Sequence, residues 1–198
     1  MATPPAVVVM AGAARARPEL SELLGADRAA GVQRVLLQRA MEWGGALSAG
    51  RAIAAHDDES VADAVGRVFA VADRGDGAGG VAGGSAVVVV WPVLPAWRPE
   101  HSEAVLDDLA AGCQVSVAPV FDAGLYLLAM AQVVPAVLSL PEETWDSPDA
   151  IGLVLASVNQ AGADVGLVRP ERALRGPGDV EAALADPLLD AELRALLT

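Results

Sequence analysis

Residues 86–97 read Ala-Val-Val-Val-Val-Trp-Pro-Val-Leu-Pro-Ala-Trp, and this stretch decides the fold class. A run of valines without polar alternation is typical of a strand that is covered on both faces, as in a parallel sheet. A second run of the same character, Ala-Val-Val-Val-Met, occupies residues 6–10. We therefore predict that residues 7–9 and 87–90 form central strands that are almost wholly buried.

The remainder of the chain alternates short apolar runs with longer stretches of helical periodicity. Further strands are predicted at residues 51–55, 114–118, 125–130 and 165–168, and helices at 27–43, 59–72, 99–111, 147–160 and 179–197. This alternation predicts one α/β domain over residues 1–198, a three-layer sandwich around a mostly parallel sheet of six or seven strands. Residues 75–85 contain six glycines in eleven positions and predict a flexible loop.

Composition excludes several kinds of chemistry. The chain has 198 residues with 13 basic and 26 acidic side chains, a net charge of −13 that disfavours nucleic acid and anionic membranes as partners. All 13 basic residues are arginines, so no P-loop lysine or Schiff-base lysine is present. One cysteine, Cys113, and two histidines exclude an internal disulfide, a multi-cysteine zinc site and a three-histidine zinc site. We expect Cys113 to be a buried, unreactive thiol.

Apolar segments are too short or too interrupted to be membrane spans. Residues 86–97 and 123–138 fall below the roughly 20 apolar residues that a span needs, and both contain proline. The first arginines follow the apolar start of the chain, which is the reverse of a signal peptide. We expect a cytoplasmic protein with no membrane partner.

The loop after the first predicted strand is a candidate phosphate site. Open parallel sheets bind ligands beyond the carboxyl ends of their strands. There, backbone amides around Gly12 and the side chains of Arg15 and Arg17 could hold phosphates. The alternative is an ordinary surface loop with two solvated arginines.

The turn after the second predicted strand also has two interpretations. Asp57 and Asp58 could hold Mg²⁺ or Mn²⁺ against a diphosphate, because hard cations prefer oxygen ligands. Equally, Asp58, Glu59 and Ser60 suit the capped first turn of the next helix.

Two further features are open to a functional or a structural interpretation. Trp91 and Trp97 could wall a pocket, or they could pack between helices as part of a stiff connection. His101 follows Pro99 near the start of a predicted helix, and we expect it to be solvated.

Three stretches in the second half of the chain follow the order of known family motifs. Residues 118–127 read Ala-Pro-Val-Phe-Asp-Ala-Gly-Leu-Tyr-Leu, beside a family pattern G-P-A-x-D-G-G-Y-Y-L. Residues 144–147 correspond to P-W-G-T, and residues 175–181 to the closing R-D-V-D-T-P-E-D-L. Together they resemble the small bacterial nucleotide-diphospho-sugar transferases of the arsenosugar-biosynthesis type, whose fold is glycosyltransferase-A-like. The resemblance extends over nearly the whole chain.

The resemblance implies a set of site residues. It implies a nucleotide or nucleotide-sugar ligand with Mg²⁺ or Mn²⁺, and Asp122 as the catalytic residue. The nucleotide-binding residues would be Gly12, Arg15, Arg17, Gly124 and Tyr126, and the metal ligands Asp122, Asp179, Asp57 and Asp58.

Two stretches of the chain lack family residues that would handle phosphate and metal. The opening family loop, A-K-x-P-x-x-G-x-x-K-T-R-L, has two lysines that this chain lacks. The family aspartate of G-S-D-C-P-x-L corresponds to Val93, which cannot ligate a cation.

Two functions follow as alternatives. The chain could be a divergent glycosyltransferase-like or nucleotidyltransferase-like protein with reduced, altered or lost catalysis. It could instead be a non-catalytic binding or scaffold protein of a biosynthetic pathway, for which an exposed apolar patch or a homodimer interface is expected.

Overall fold

A six-stranded mixed sheet forms the centre of the computed structural model, which describes residues 4–14, 18–50, 52–73 and 86–198. The strands are β1 (Ala6–Val9), β2 (Ala52–Ala54), β3 (Val87–Val90), β4 (Val115–Pro119), β5 (Leu125–Met130) and β6 (Val165–Leu167). Their order across the sheet is β2-β1-β3-β5-β4-β6, and only β5 runs against the others. The predicted α/β fold with a mostly parallel sheet is confirmed.

The valine runs lie where the sequence predicts them. All residues of Val7–Val9 and Val87–Val90 have 0% exposure, because β1 and β3 are interior strands covered on both faces. Each of the other four predicted strand segments also contains a strand.

Eight α-helices and two 3₁₀ turns accompany the sheet in the described residues. The α-helices are α1 (Pro18–Leu24), α2 (Ala26–Leu47), α3 (Val61–Asp73), α4 (Pro99–Ala110), α5 (Pro135–Leu138), α6 (Ala150–Gln160), α7 (Pro177–Ala185) and α8 (Ala191–Leu197). The 3₁₀ turns are Ala11–Ala14 and Glu142–Asp146. None of the described helices is long and apolar enough to cross a membrane.

Two helical segments differ from the sequence-based prediction. Residues 11–24, expected to be a loop, contain the first 3₁₀ turn and α1, whose Leu20 is buried. The C-terminal segment is two helices rather than one, since Pro187 cannot continue a helix and forces Asp186 into an extended conformation. The predicted flexible loop at 75–85 lies outside the described residues.

Helices α2 and α4 cover the same face of the sheet. Val7, Val88, Ala129 and Ser116 form one row across four paired strands, so their side chains share a face. Gly44 of α2 lies against Val7 at one end of this row. At the other end the Ser116 hydroxyl donates to Asp108 Oδ2 of α4 (2.6 Å). Helices α3 and α6 also contact the sheet, α3 at β1 and β3 and α6 at β4.

A second, smaller core lies among α1, α2, α7 and α8. Its buried members include Leu20, Val32, Leu36, Val180 and Leu193. This core fixes the C-terminal helices against α2, next to the segment that follows β3. The walls of the cavities described below are therefore held in place by apolar packing.

Candidate functional site

Five co-directional strands end at one edge of the sheet, and the loops there carry most of the residues that the sequence singles out. Gly12, just after β1, lies so close to the Asp57 carbonyl that a Cβ atom would overlap the carbonyl oxygen. The structure thus brings Gly12 together with the turn that contains Asp57 and Asp58, whose side chains are exposed. Arg15 and Arg17 lie outside the described residues.

The turn after β2 is organised by Glu59 and Ser60. Arg67 donates to both oxygens of Glu59, from Nε at 2.8 Å and from Nη2 at 2.7 Å, and holds the pKa of that carboxyl down at about 2. The Ser60 hydroxyl accepts the Asp63 amide at 3.0 Å and caps α3. Glu59 and Ser60 therefore stabilise the turn and the start of α3, which is the second of the two interpretations given by the sequence.

Val93, which the resemblance aligns with the family aspartate, lies in the loop after β3. It is 4% exposed, and Leu94 beside it is 2% exposed. The Val93 carbonyl accepts the Leu174 amide at 2.8 Å, which joins the ends of two non-adjacent strands. The buried Val93 side chain offers no oxygen atom to a cation.

The two remaining predicted metal ligands have different surroundings. Asp122 is exposed in the turn between β4 and β5. Asp179 starts α7: its Oδ2 accepts the amides of Arg175 and Gly176, both at 3.1 Å, and its Oδ1 pairs with Arg172. Its carboxylate is therefore committed to a helix cap.

The described residues contain no preformed cage of protein ligands for a divalent cation. Among them, no three histidine, cysteine, aspartate or glutamate side chains are arranged to hold a metal ion. The predicted ligands Asp57, Asp58, Asp122 and Asp179 consequently form no common cluster.

Gly124 is required by packing. It has a φ of 77°, and an added Cβ would lie 2.7 Å from the Trp145 carbonyl oxygen and 2.9 Å from Asp146 Cα. Its amide donates to the Ser147 carbonyl (2.8 Å), and Arg175 pairs with Asp146 (2.8 Å) beside it. These contacts fix the turn that carries Asp122.

Tyr126 lies in the core beneath the same edge. Ala118 pairs with Leu127 but Pro119 pairs with Leu125, so Tyr126 is the extra residue of a β-bulge. The side chain is wholly buried, its hydroxyl donates to the Arg169 carbonyl (3.3 Å), and burial raises the pKa of Tyr126 above its usual range. Direct contact with a nucleotide has no support in this geometry.

His101 is buried, and the expectation that it is solvated is wrong. Its side chain is 3% exposed. Its Nδ1 accepts the Arg98 amide (3.2 Å), and its Nε2 faces Glu171 Oε1 (3.4 Å). Burial lowers the pKa of His101 below its usual value, against the opposing effect of Glu171. Glu171 also pairs with Arg169 at 2.7 Å. The sequence gives no signal for this pair, because the partners are 70 residues apart.

The two tryptophans named from the sequence pack against aromatic neighbours. Trp91 lies 5.7 Å from Trp145, and Trp97 lies 4.8 Å from Trp43 of α2, between ring centroids. Trp97 also contacts the rings of His101 and Tyr126 at 5.8 and 6.0 Å. Trp91 is buried, whereas Trp97 is partly exposed and lines a surface cavity.

Two adjoining cavities lie between the segment after β3 and the C-terminal helices. The larger, about 460 Å³, is lined by Trp43, Trp97 and the turn between α7 and α8. The smaller, about 230 Å³, is lined by Arg98, His101, Glu171, Arg172 and Asp179 among others, and we call it the arginine cavity.

Comparison with known proteins supports the fold. No protein-family model and no curated protein matches the chain. The chain is similar to the crystal structure of a presumed nucleotide-diphospho-sugar transferase from Desulfovibrio desulfuricans G20, at 15% identity and a TM-score of 0.67, over 99% of this chain and 94% of that one. A weaker likeness, at 13% identity and a TM-score of 0.46, links 93% of this chain to 98% of a CMP:2-keto-3-deoxy-manno-octonic acid synthetase complexed with CTP. The first likeness shows that the protein has a nucleotide-diphospho-sugar transferase-like fold.

Proposed function

We propose that this protein is a divergent nucleotide-diphospho-sugar transferase-like protein that has lost divalent-metal-dependent transfer. The observation that carries the proposal is the buried Val93 in the loop after β3, held by the Leu174 amide. Its side chain offers neither charge nor an oxygen atom to a cation.

Transfer from a nucleotide-linked donor leaves negative charge on a diphosphate. A bound Mg²⁺ or Mn²⁺ can stabilise that charge, provided that carboxylates hold the ion in place. Val93 is apolar, and the Asp179 carboxylate caps α7. Asp122 is therefore the predicted metal ligand that remains after β4, and among the described residues it belongs to no group of three side chains that could hold a metal ion. The net charge of −13 also disfavours a polyanionic donor.

A non-catalytic binding or scaffold role within a biosynthetic pathway is the function that remains on this fold. The second candidate is a transferase with a rearranged site, and the exposure of Asp122 at the ligand-binding edge favours it. The two candidates differ in whether Asp122 is needed for product formation.

A product assay separates them. The protein is incubated with a panel of nucleotide-sugars and nucleoside triphosphates, each combined with sugar or sugar-phosphate acceptors, in Mg²⁺ or Mn²⁺. The release of nucleoside diphosphate or pyrophosphate is measured. We expect no release above a protein-free control. Metal-dependent release that disappears in Asp122→Ala would overturn the proposal and establish the transferase.

A further inference from the structure

Two arginines, Arg98 and Arg172, line the arginine cavity together with three carboxylates, Glu171, Asp179 and Asp186. Arg98 belongs to the segment after β3, and Arg172 belongs to the segment after β6. We propose that the arginine cavity binds a small oxyanion, a phosphate or carboxylate group, through Arg98 and Arg172 without a metal ion. This inference is independent of whether the chain catalyses transfer.

The carboxylates of the cavity already have cationic or amide partners. Glu171 pairs with Arg169, and Asp179 accepts two backbone amides and pairs with Arg172 at 3.1 Å. Asp186 accepts the Leu188 amide at 2.9 Å. Arg169, which is not one of the two proposed ligand-binding arginines, compensates the charge of Glu171, and backbone amides stabilise the carboxylates of Asp179 and Asp186.

The two proposed ligand-binding arginines keep donors available. Arg98 is exposed, and no carboxylate of the described residues forms an ion pair with it. Arg172 is 52% exposed, bonds Asp179 through Nη1, and lies with its Cζ 6.0 Å from the centroid of the Phe121 ring. A guanidinium has five N–H donors in a planar fork, so one contact to Asp179 leaves several for an oxyanion.

The size of the cavity restricts the ligand. Its volume of about 230 Å³ is below the roughly 300–1,000 Å³ typical of sites for drug-sized molecules. A phosphate or carboxylate group with a few attached atoms fits this space.

His101 acts as a positioning residue for this cavity. Its Nδ1 accepts the amide of Arg98 while its Nε2 faces Glu171, so one imidazole joins the wall after β3 to the wall after β6. The ring is nearly inaccessible, which keeps it from contacting the ligand itself. The connection holds the two arginine-bearing segments at a fixed separation.

Binding of simple anions in EDTA tests the proposal. One arm of the experiment uses inorganic phosphate and pyrophosphate, and the other uses acetate and citrate. Each anion is titrated at low ionic strength into the protein, and binding is measured by calorimetry. The proteins compared are wild type, Arg98→Gln, Arg172→Gln and the double variant. Arg34→Gln, which removes an exposed arginine of α2, is the matched control.

We expect binding by at least one arm, weakened about tenfold or more by each single substitution, abolished in the double variant and unchanged in Arg34→Gln. The arm that binds identifies the class of oxyanion. Circular dichroism confirms that the variants are folded. Absence of binding in both arms, or binding that survives the double substitution, would overturn the proposal. Neither outcome bears on metal-dependent transfer, since no metal or nucleotide is present.

Discussion

The backbone carbonyl of Val93 accepts a hydrogen bond of 2.8 Å from the amide of Leu174. This bond joins the loop after β3 to the segment that follows β6, and the Val93 side chain is buried in the main apolar core. A valine at this position offers no oxygen atom to a cation.

Val93→Asp tests whether this position can still accept a metal. Burying a carboxylate there without a cation should reduce the free energy of unfolding by about 3 kcal/mol or more. Asparagine has the same shape as aspartate but no charge, so Val93→Asn should lose less free energy of unfolding than Val93→Asp. Urea unfolding with and without Mn²⁺ measures both. If Mn²⁺ restored the stability of the aspartate variant but not of the asparagine variant, the edge would be a latent metal site after all.

Asp179 and Asp122, both predicted from the sequence as metal ligands, should respond differently to alanine. Asp179→Ala removes the acceptor of two amides at the start of α7 and should cost about 1 kcal/mol of stability. Asp122→Ala alters an exposed turn and should stay within about 0.5 kcal/mol of wild type. Denaturant midpoints compare the two, and the reverse order would contradict the assignment of Asp179 to the cap.

Gly124→Ala should destabilise the protein strongly. The left-handed backbone costs about 1–2 kcal/mol for alanine, and contact with the Trp145 carbonyl adds a further cost of about 1–3 kcal/mol. Gly162→Ala is the matched control, because Gly162 also has a positive φ of 67° but nothing lies within 4 Å of its added Cβ. Equal losses in the two variants would show that the turn does not pack as described.

His101 should make stability depend on pH below neutrality. Its pKa is lowered in the folded protein, so on acidification the unfolded chain takes up a proton first and folding is weakened as the pH falls below about 6.5. His101→Gln should remove this component, which is at most about 1.4 kcal/mol per pH unit. Unfolding is measured from pH 7 to pH 5, with His56→Gln as a control that removes an exposed imidazole. An unchanged slope in His101→Gln would contradict the buried, neutral imidazole.

Local patterns in the sequence account for the layers of the fold but not for the order of the strands. The runs at Val7–Val9 and Val87–Val90 predict buried strands because no polar residue interrupts them. Nothing local indicates that β5 inserts in reverse between β3 and β4, since that placement depends on pairing across the whole sheet. By contrast, Pro187 is a visible helix breaker, and it could have divided the last predicted helix.

The candidate site was less predictable than the fold. Gly12 and Asp57 follow neighbouring strands, so their proximity is inferable from the sheet edge alone. His101 and Glu171 meet only through tertiary packing, and a histidine after Pro99-Glu100 has no local feature that indicates burial. The order of the motifs makes Asp179 a candidate metal ligand. Its position three residues after Gly176 is equally that of a carboxylate that caps a helix.

Metal-dependent nucleotide binding tests the central claim most directly. The thermal midpoint is measured with nucleoside triphosphates and nucleotide-sugars at millimolar concentration, once in EDTA and once in Mg²⁺ or Mn²⁺, for wild type and Asp122→Ala. A ligand at about 100 times its dissociation constant stabilises a protein by about 2.7 kcal/mol, which for a chain of this size raises the midpoint by roughly 5–10 °C. We expect the same midpoint for each nucleotide with and without the metal. A metal-dependent rise of several degrees that is lost in Asp122→Ala would contradict it.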